Sequence, residues 1–280
     1  MDTRKKNGGW VNPGSRLADL ALFEYLLPSV TKTADCGFRY LVVVGYDRGD
    51  QWWDLGGGAA KAERWFEENV SGPLASNRGI EATFVMVRVD NQIKKPGPVF
   101  QAITRAAYDA GAEYIYRVND DTEMATPWAA KFVAALGAMN NIGAVGPKCQ
   151  QGNTKILTHD FTHRVHMDIF GLEYYPPELS DWWMDDWISL VYGRGRTRQG
   201  HDVSVVHHTG KHGQRYTVDQ SHKQRLNALV QSGAKRIRAY LQSQGAGPRT
   251  LQAFDREPRD LKLGFRKLTD GDGSPASIAE

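Results

Sequence analysis

Residues 114–123 read YIYRVNDDTE, a short apolar run that ends in a polar and acidic cluster. The run 114–118 has the aromatic and β-branched composition that is typical of a strand. Asn119, Asp120 and Asp121 follow it without an intervening glycine or proline. Ligands of open α/β sheets bind beyond the carboxyl ends of the strands, so this stretch predicts a binding site at such an edge.

Apolar strand patterns and helical patterns alternate on both sides of this stretch. The alternation favours an α/β fold with a largely parallel sheet, in which the run 40–44 is buried on both faces. An amphipathic helix over residues 17–30 is expected to end near Pro28. The predicted strands are 40–44, 82–89, 114–118, 142–145 and 203–206, and the other predicted helices are 60–70, 97–111, 128–139, 181–192 and 219–242.

Composition narrows the class of protein. Of 280 residues, 41% are hydrophobic and 24% are charged, which excludes a mainly disordered chain. The formal net charge of +3 gives no reason to expect nucleic-acid binding. No apolar run approaches the roughly 18 residues of a membrane span, so the chain as given is expected to be soluble. Two cysteines, Cys36 and Cys149, exclude a disulfide scaffold.

The acidic cluster at 120–123 predicts a divalent cation. Two or three carboxylates this close repel one another by several kcal/mol unless a cation lies among them. Carboxylate oxygens together with substrate phosphates suit Mg²⁺ or Mn²⁺. The alternative is a turn in which Asn119 and Asp120 simply cap the next segment.

The stretch YIYRVNDDTE resembles the strand and "DxD" signature of GT-A fold glycosyltransferases, particularly the triple-acid form followed by threonine in fringe-like and core-1-type enzymes. Asn119 stands where that form has its first acid. The resemblance implies a Rossmann-type mixed sheet flanked by helices, with a C-terminal helix. It implies a donor-binding half at residues 1–125, an acceptor-binding half at 126–244 of the same domain, and a partly disordered extension at 245–280.

The resemblance also implies which residues bind the nucleotide-sugar donor. The last acid of the family's triplet binds the metal, a role that falls on Asp121, and the middle acid holds the sugar or ribose. The residues that contact the nucleoside in the family correspond to Gly45, Tyr46 and Asp47, which close the first predicted strand. Lys95 precedes an alanine-rich helix, as a lysine does in the family. The donor-binding residues are then Gly45, Tyr46, Asp47, Lys95, Asn119, Asp120 and Asp121.

A second cluster, LSDWWMDDWISLVYG at residues 179–193, predicts a helix with acids in its first turn and Ser180 as N-cap. Its three tryptophans cannot all face one core stripe, because Trp182 and Trp183 are adjacent. At least one indole is therefore expected to remain accessible as a platform for a sugar ring. We assign Trp182, Trp183 and His166 to acceptor binding.

In inverting GT-A enzymes the second acid of such a pair is the catalytic base. This role falls on Asp186, with Asp185 as the competing assignment. A carboxylate in this role must lie within about 3 Å of the attacking hydroxyl. The alternative is that the acids only interact favourably with the helix dipole and that the tryptophans fill the core.

In the family a C-terminal histidine also binds the metal. This role falls on one of the two histidines, His207 and His208, that follow the predicted strand 203–206. Alternation lets only one of the two face the site. We prefer His208, with His207 as the alternative. A neutral imidazole favours Mn²⁺ over Mg²⁺. The histidine groups 159–166 and 207–212 lack the cysteine spacing of a structural zinc site, so ordinary polar packing is preferred there.

A Gly-rich loop carries Arg194, Arg196 and Arg198, with Lys211 and Arg215 beyond it. Such a basic loop could close over a diphosphate, although a solvated surface loop is the simpler interpretation for any one of these residues.

The sequence thus predicts a metal-dependent glycosyltransferase that uses Mn²⁺ or Mg²⁺. It would move a sugar from a nucleotide-diphospho-sugar, UDP-linked by preference, to a hydroxyl of a glycan or other acceptor, with inversion. Two alternatives are a nucleotidyltransferase that makes nucleotide-sugars and a carbohydrate-binding module without activity. The sequence leaves the location open between the cytoplasm and, if an upstream anchor is missing, the Golgi lumen.

Overall fold

A computed structural model of the protein describes residues 17–151, 154–209, 218–252, 254 and 266–267. The α-helices are α1 Leu27–Thr33, α2 Gly58–Phe66, α3 Gly72–Arg78, α4 Pro96–Asp109, α5 Ala129–Gly137, α6 Val165–Ile169, α7 Trp183–Val191, α8 His222–Ser243 and α9 Pro248–Gln252. The strands are β1 Tyr40–Asp47, β2 Ala82–Val89, β3 Tyr114–Arg117, β4 Thr122–Met124, β5 Ala144–Cys149, β6 Asp160–His163, β7 Thr197–His207 and β8 Arg266–Lys267. Lys211, Arg215 and most of the predicted C-terminal extension lie outside the described residues.

Two π-helical turns shape the first half of the chain. The turn Leu22–Leu26 leads into α1, and the turn Glu67–Ser71 joins α2 to α3. Each is followed by a proline, Pro28 or Pro73, in the first turn of the next helix. Proline lacks an N–H and its ring crowds the carbonyl four residues earlier, so a wider turn before it lets the helix continue. The expectation that the first helix ends near Pro28 was therefore wrong.

The fold is α/β with a mixed sheet. β1 and β2 pair in parallel over their whole length. The larger sheet has the order β3-β6-β5-β7-β4, with β8 pairing β7. Only β5–β7 and β7–β8 are parallel there, since β6 runs antiparallel to β3 and β5, and β4 runs antiparallel to β7. The expectation of a largely parallel sheet was wrong because the chain returns through the short strand β6.

Helix α4 covers only the carboxyl end of β1. A Cβ built on Gly45 would lie 2.5 Å from Val99 and 2.8 Å from Ile103, so this glycine permits the close approach of the helix. The first half of β1 is only half-buried. The predicted burial of 40–44 on both faces is therefore confirmed for Val44 alone.

Two apolar clusters stabilise the described chain, and each takes residues from both sides of residue 125. One contains Val44 and Phe132, and the other contains Ile115 and Trp187. None of the helices in the described residues combines the length and apolar composition needed to cross a membrane.

The start of α4 lies against the segment that leads into α7. The Gly97 N–H donates to the Ser180 carbonyl at 2.9 Å. A Cβ on Gly97 would lie 2.8 Å from the Ser180 Cα and 3.2 Å from the Leu179 carbonyl oxygen. Because both neighbours are backbone atoms, only glycine allows this contact.

We expect Gly97→Ala to lower the free energy of unfolding by about 1–3 kcal/mol, because the added methyl group overpacks a backbone contact. Gly137→Ala is the matched control, since Gly137 ends α5 and a Cβ added there would have nothing within 4 Å. That variant should be up to about 1 kcal/mol more stable, as alanine favours helix over glycine. Urea unfolding of both variants checks this, and equal stabilisation of the two would contradict it.

Candidate functional site

The carboxyl end of β3 meets the carboxyl end of β7. The His207 Nε2 atom lies 3.0 Å from Asp121 Oδ1 and 3.1 Å from the Asn119 amide nitrogen. Both His207 and Asp121 are largely buried, with side-chain exposures of 12% and 13%. Asp120 is half-buried in the same turn, which a bond from the Thr122 N–H to the Asn119 carbonyl closes. The structure thus brings the strand-end acids and one of the predicted histidines together.

Strand register decides which histidine faces this cluster. β7 runs antiparallel to β4 with His207 opposite Thr122. The Thr122 hydroxyl bonds to the buried His159, whose ring meets the His207 ring edge-on at 5.0 Å. His208 points elsewhere, where its Nε2 pairs with Glu123 at 2.9 Å and its ring stacks on Tyr25. The structure therefore places His207 against Asp121 instead of the preferred His208, because alternation along β7 turns the His208 side chain away.

The His207 imidazole is held in its charged form. Burial alone would disfavour the charge, but hydrogen bonds to Asp121 and to the Cys149 thiol outweigh it and raise the pKa of His207 to about 9. The backbone N–H of His207 also donates to the side-chain oxygen of Gln151 at 2.9 Å. At neutral pH the two residues thus form an ion pair. A divalent cation could bind between them by displacing the proton of His207.

The hydrogen-bond distance between Asp121 and His207 is also compatible with two ligands of an octahedral cation. Two neighbouring ligands with bonds of about 2.1 Å lie about 3 Å apart, which matches the 3.0 Å between Asp121 Oδ1 and His207 Nε2. Within the part of the chain that the structure describes, no group of three or more His, Cys, Asp or Glu side chains could hold a metal ion. A cation at this pair would therefore need further oxygens from water or a phosphate, as Mg²⁺ and Mn²⁺ sites commonly have.

Helix α7 carries the second pair of acids, and the two differ in their partners. Asp185 accepts a 2.6 Å bond from the guanidinium of Arg117 at the end of β3. Burial raises the pKa of Asp185 to about 7, although the Arg117 charge opposes this. Burial also raises the pKa of Asp186 to about 6. The Asp186 carboxylate contacts its own backbone N–H, and no other side chain among the described residues pairs with it.

The tryptophans of α7 divide as their spacing predicts. Trp187 is buried, and Trp182 is 51% exposed. The Trp183 indole N–H donates to the Asp219 carbonyl at 3.2 Å. The prediction that at least one indole stays accessible is confirmed. The predicted N-cap at Ser180 was wrong, because α7 begins at Trp183 without a side-chain cap.

Lys95 contacts the lead into α7. Its ammonium lies 3.1 Å from the carboxylate of Asp181, which is fully buried. The same carboxylate accepts a bond from the Asp219 N–H and lies 3.2 Å from His222 at the start of α8. The predicted donor-binding lysine thus joins α4, α7 and α8.

A cavity of about 400 Å³ lies just beyond the carboxyl ends of β1 and β2. Asp47 faces this region and accepts a 2.9 Å bond from the Asn91 amide. Gly45 and Tyr46 are buried and face the protein interior. The lining residues are Arg48, Gly49, Asp90, Asn91, Gln92 and Lys94. Sequence reasoning missed them, although their position directly after two strands was a usable signal.

Two predicted site residues occupy structural positions instead. His166 is 1% exposed, and its ring nitrogens bond to the Tyr192 hydroxyl and the Tyr174 carbonyl. Burial lowers the pKa of His166 to about 4, so the ring is neutral. Arg196 donates to the carbonyls of Met139 and Ile142, after the end of α5. These positions do not support the roles in acceptor binding and in a mobile basic loop that the sequence suggested.

Neither a protein-family model nor a curated protein matches this sequence.

We expect the ion pair between Asp121 and His207 to make stability depend on pH. A histidine pKa raised from 6.5 to about 9 stabilises the folded state fully below the lower value, and this contribution disappears as the pH rises through the higher one. The free-energy difference between wild type and Asp121→Asn should be larger at about pH 6.5 than at about pH 9.5, by up to about 3 kcal/mol, because Asp121 is one of the two partners that raise the histidine pKa.

Urea unfolding at both pH values, in the presence of a chelator, measures this difference. Asp54→Asn is the control, because Asp54 pairs with Arg88, whose guanidinium stays protonated over the whole range. The Asp54→Asn difference should not change with pH, and an equally constant difference for Asp121→Asn would contradict the assignment.

Proposed function

We propose that this chain is a metal-dependent glycosyltransferase of the GT-A type. It would transfer a sugar from a nucleotide-diphospho-sugar, UDP-linked by preference, to a hydroxyl of a glycan or other acceptor. The observation that carries the proposal is the pair Asp121 and His207, whose oxygen and nitrogen lie 3.0 Å apart at the meeting of two strand ends. The last acid of the triplet, which is Asp121, and a C-terminal histidine are the two metal ligands that the resemblance implies.

The donor would lie along the carboxyl ends of β1, β2 and β3. The cavity beyond β1 and β2 offers Arg48 and Lys94 as cations and Asn91 as a hydrogen-bonding group. Asp47, fixed by Asn91, would meet the nucleoside. Asn119 and Asp120 follow β3 and would hold the ribose or the sugar. The donor assignments of Gly45, Tyr46 and Lys95 are not supported by where these residues lie.

Asp121 and His207 would hold Mn²⁺ or Mg²⁺ after His207 loses its proton. A cation here supplies positive charge to the departing diphosphate. Since the imidazole is one of the two protein ligands that the described residues offer, Mn²⁺ is favoured over Mg²⁺.

The acceptor would lie against α7. The exposed Trp182 ring offers an apolar face to a sugar, and Asp186 offers a carboxylate that no described side chain occupies. Asp186 would take the proton of the attacking hydroxyl as its oxygen bonds to the anomeric carbon and the bond to the diphosphate breaks. With a pKa of about 6, Asp186 is ionised at neutral pH and still basic enough for this role. Asp185 is the weaker candidate, because its Oδ1 already accepts the Arg117 bond.

We expect wild-type protein, incubated with a panel of nucleotide-sugars, to release nucleoside diphosphate only with Mn²⁺ or Mg²⁺. Asp121→Ala should abolish this release. It should also abolish the metal-dependent stabilisation by UDP, which for wild type is about 2.7 kcal/mol at a UDP concentration 100-fold above its Kd. Thermal unfolding with and without Mn²⁺ measures the second effect.

Asp109→Ala is the control, because Asp109 forms an exposed pair with Arg105 on α4. Retained release in Asp121→Ala would contradict the metal assignment. Release of pyrophosphate from a nucleoside triphosphate incubated with a sugar phosphate would instead identify a nucleotidyltransferase. No release in any condition, with sugar binding unaffected by Asp121→Asn, would identify a binding module.

We expect Asp186→Asn to lower kcat for transfer by about 10²–10⁴-fold, the usual contribution of a general base. Binding of UDP with Mn²⁺ should stay at the wild-type level, because Asp186 does not touch the donor in this proposal. The wild-type rate should fall as the pH drops through about 6, where the Asp186 carboxylate takes up a proton. Asp202→Asn, in the exposed pair with Lys131, is the control. Normal transfer by Asp186→Asn would move the base to Asp185 or indicate retention of configuration.

A further inference from the structure

Arg117 is a buried arginine at the junction of β3 and α7. It is 3% exposed, and it is the last residue of β3, two residues before Asn119. Its guanidinium donates to Asp160 at 2.8 and 3.1 Å and to the Tyr175 hydroxyl at 2.7 Å. It also donates to Asp185 on α7 at 2.6 Å. One side chain thus connects the strand that carries the acidic cluster with the helix that carries Asp186.

Asp160, the other carboxylate that Arg117 binds, is itself held by buried hydrogen bonds. Asp160 is fully buried and accepts bonds from the hydroxyls of Tyr174 and Tyr175, both at 2.6 Å. The Phe100 ring of α4 lies 4.9 Å from the guanidinium carbon. Asp160 therefore anchors the guanidinium, and the Nη2 atom that donates to Asp160 also donates to Asp185.

Only arginine can fill this position. Its planar guanidinium directs several N–H groups at two carboxylates at once, whereas a lysine ammonium is a point charge without that fork. A lysine here would keep the positive charge beside Asp160 but could not also hold Asp185 at the same geometry.

We infer that Arg117 is a positioning residue that fixes the first turn of α7 through Asp185, so that the neighbouring Asp186 faces the acceptor hydroxyl. This inference rests on the proposed function. It assigns different tasks to two adjacent acids. Asp185 is used in the bond to Arg117, and Asp186 is left to take the proton. Displacement of a reacting group by about 1 Å can cost about 100-fold in rate, so loss of the Arg117 bond should be visible in kcat.

The first test is Arg117→Lys, assayed with the nucleotide-sugar that gives the fastest diphosphate release. We expect kcat to fall about 100-fold, with KM for the donor and the binding of UDP with Mn²⁺ unchanged. Arg105→Lys is the matched control, because Arg105 forms an exposed pair within α4, and it should behave as wild type. A folded Arg117→Lys with wild-type kcat would overturn the inference, and so would an equal loss of donor binding.

The second test is a double-mutant cycle with Asp185→Ala. If Arg117 acts through Asp185, the two single variants and the double variant should all lose about the same factor in kcat, because the same contact is removed each time. Multiplied losses in the double variant would overturn the inference. Should Arg117→Lys fail to fold, the pH profile of Asp185→Ala still decides. Its rate should keep the decline below about pH 6 that belongs to Asp186, and loss of that decline would make Asp185 the base.

A third measurement separates this inference from the proposed function. Carbon-13 labelling of the aspartate carboxyl groups follows the titration of Asp185 and Asp186 by NMR without substrate. Arg117→Lys should raise the pKa of Asp185, because the carboxylate loses the hydrogen bond from the guanidinium, and should change the signal of Asp186. Unchanged signals would overturn the positioning role even if transfer is found. Changed signals without turnover of any nucleotide-sugar would count against the glycosyltransferase alone.

Discussion

The carboxylates buried around β3 and α7 must be neutralised, and this requirement brings together segments that are far apart in sequence. A buried carboxylate without a partner costs several kcal/mol, so each needs a cation nearby. The cations come from segments far away in sequence. Arg117 meets Asp160 and Asp185, Lys95 and His222 meet Asp181, and His207 meets Asp121. These pairs connect β3, β6, β7, α4, α7 and α8 around one region.

The pairs differ in whether the cationic partner can exchange a proton for a divalent cation. The guanidinium of Arg117 stays charged at any accessible pH, and its partner Asp160 is saturated by two tyrosine hydroxyls. That pair can only be structural. His207 can release its proton and keep a lone pair for a cation, and its partner Asp121 lies at a strand end rather than in the core. The Asp121–His207 pair therefore combines neutralisation in the free protein with the ability to exchange a proton for a divalent ion, at a strand end.

Local pattern was sufficient to predict most elements but few of their contacts. The bounds of β2 follow from its apolar run, and the exposure of Trp182 follows from its adjacency to Trp183. The choice between His207 and His208 depends on the register of β7 against β4, which no local pattern encodes. Arg117 meets partners 43 and 68 residues away, so its role was not visible in the motif that contains it.

The two lysines after β2, Lys94 and Lys95, show that a distant contact can change the role that sequence order suggests for a residue. Lys95 lies nearest to the start of α4, yet the buried Asp181 binds its ammonium. Lys94 adopts a left-handed backbone with φ of 54°, a conformation that costs a residue other than glycine free energy. The turn persists because Asn91 accepts bonds from the N–H groups of both lysines, and it leaves Lys94 exposed at the edge of the cavity. A strained turn thus separates a lysine that supports the fold from a lysine that stays exposed at the edge of the cavity.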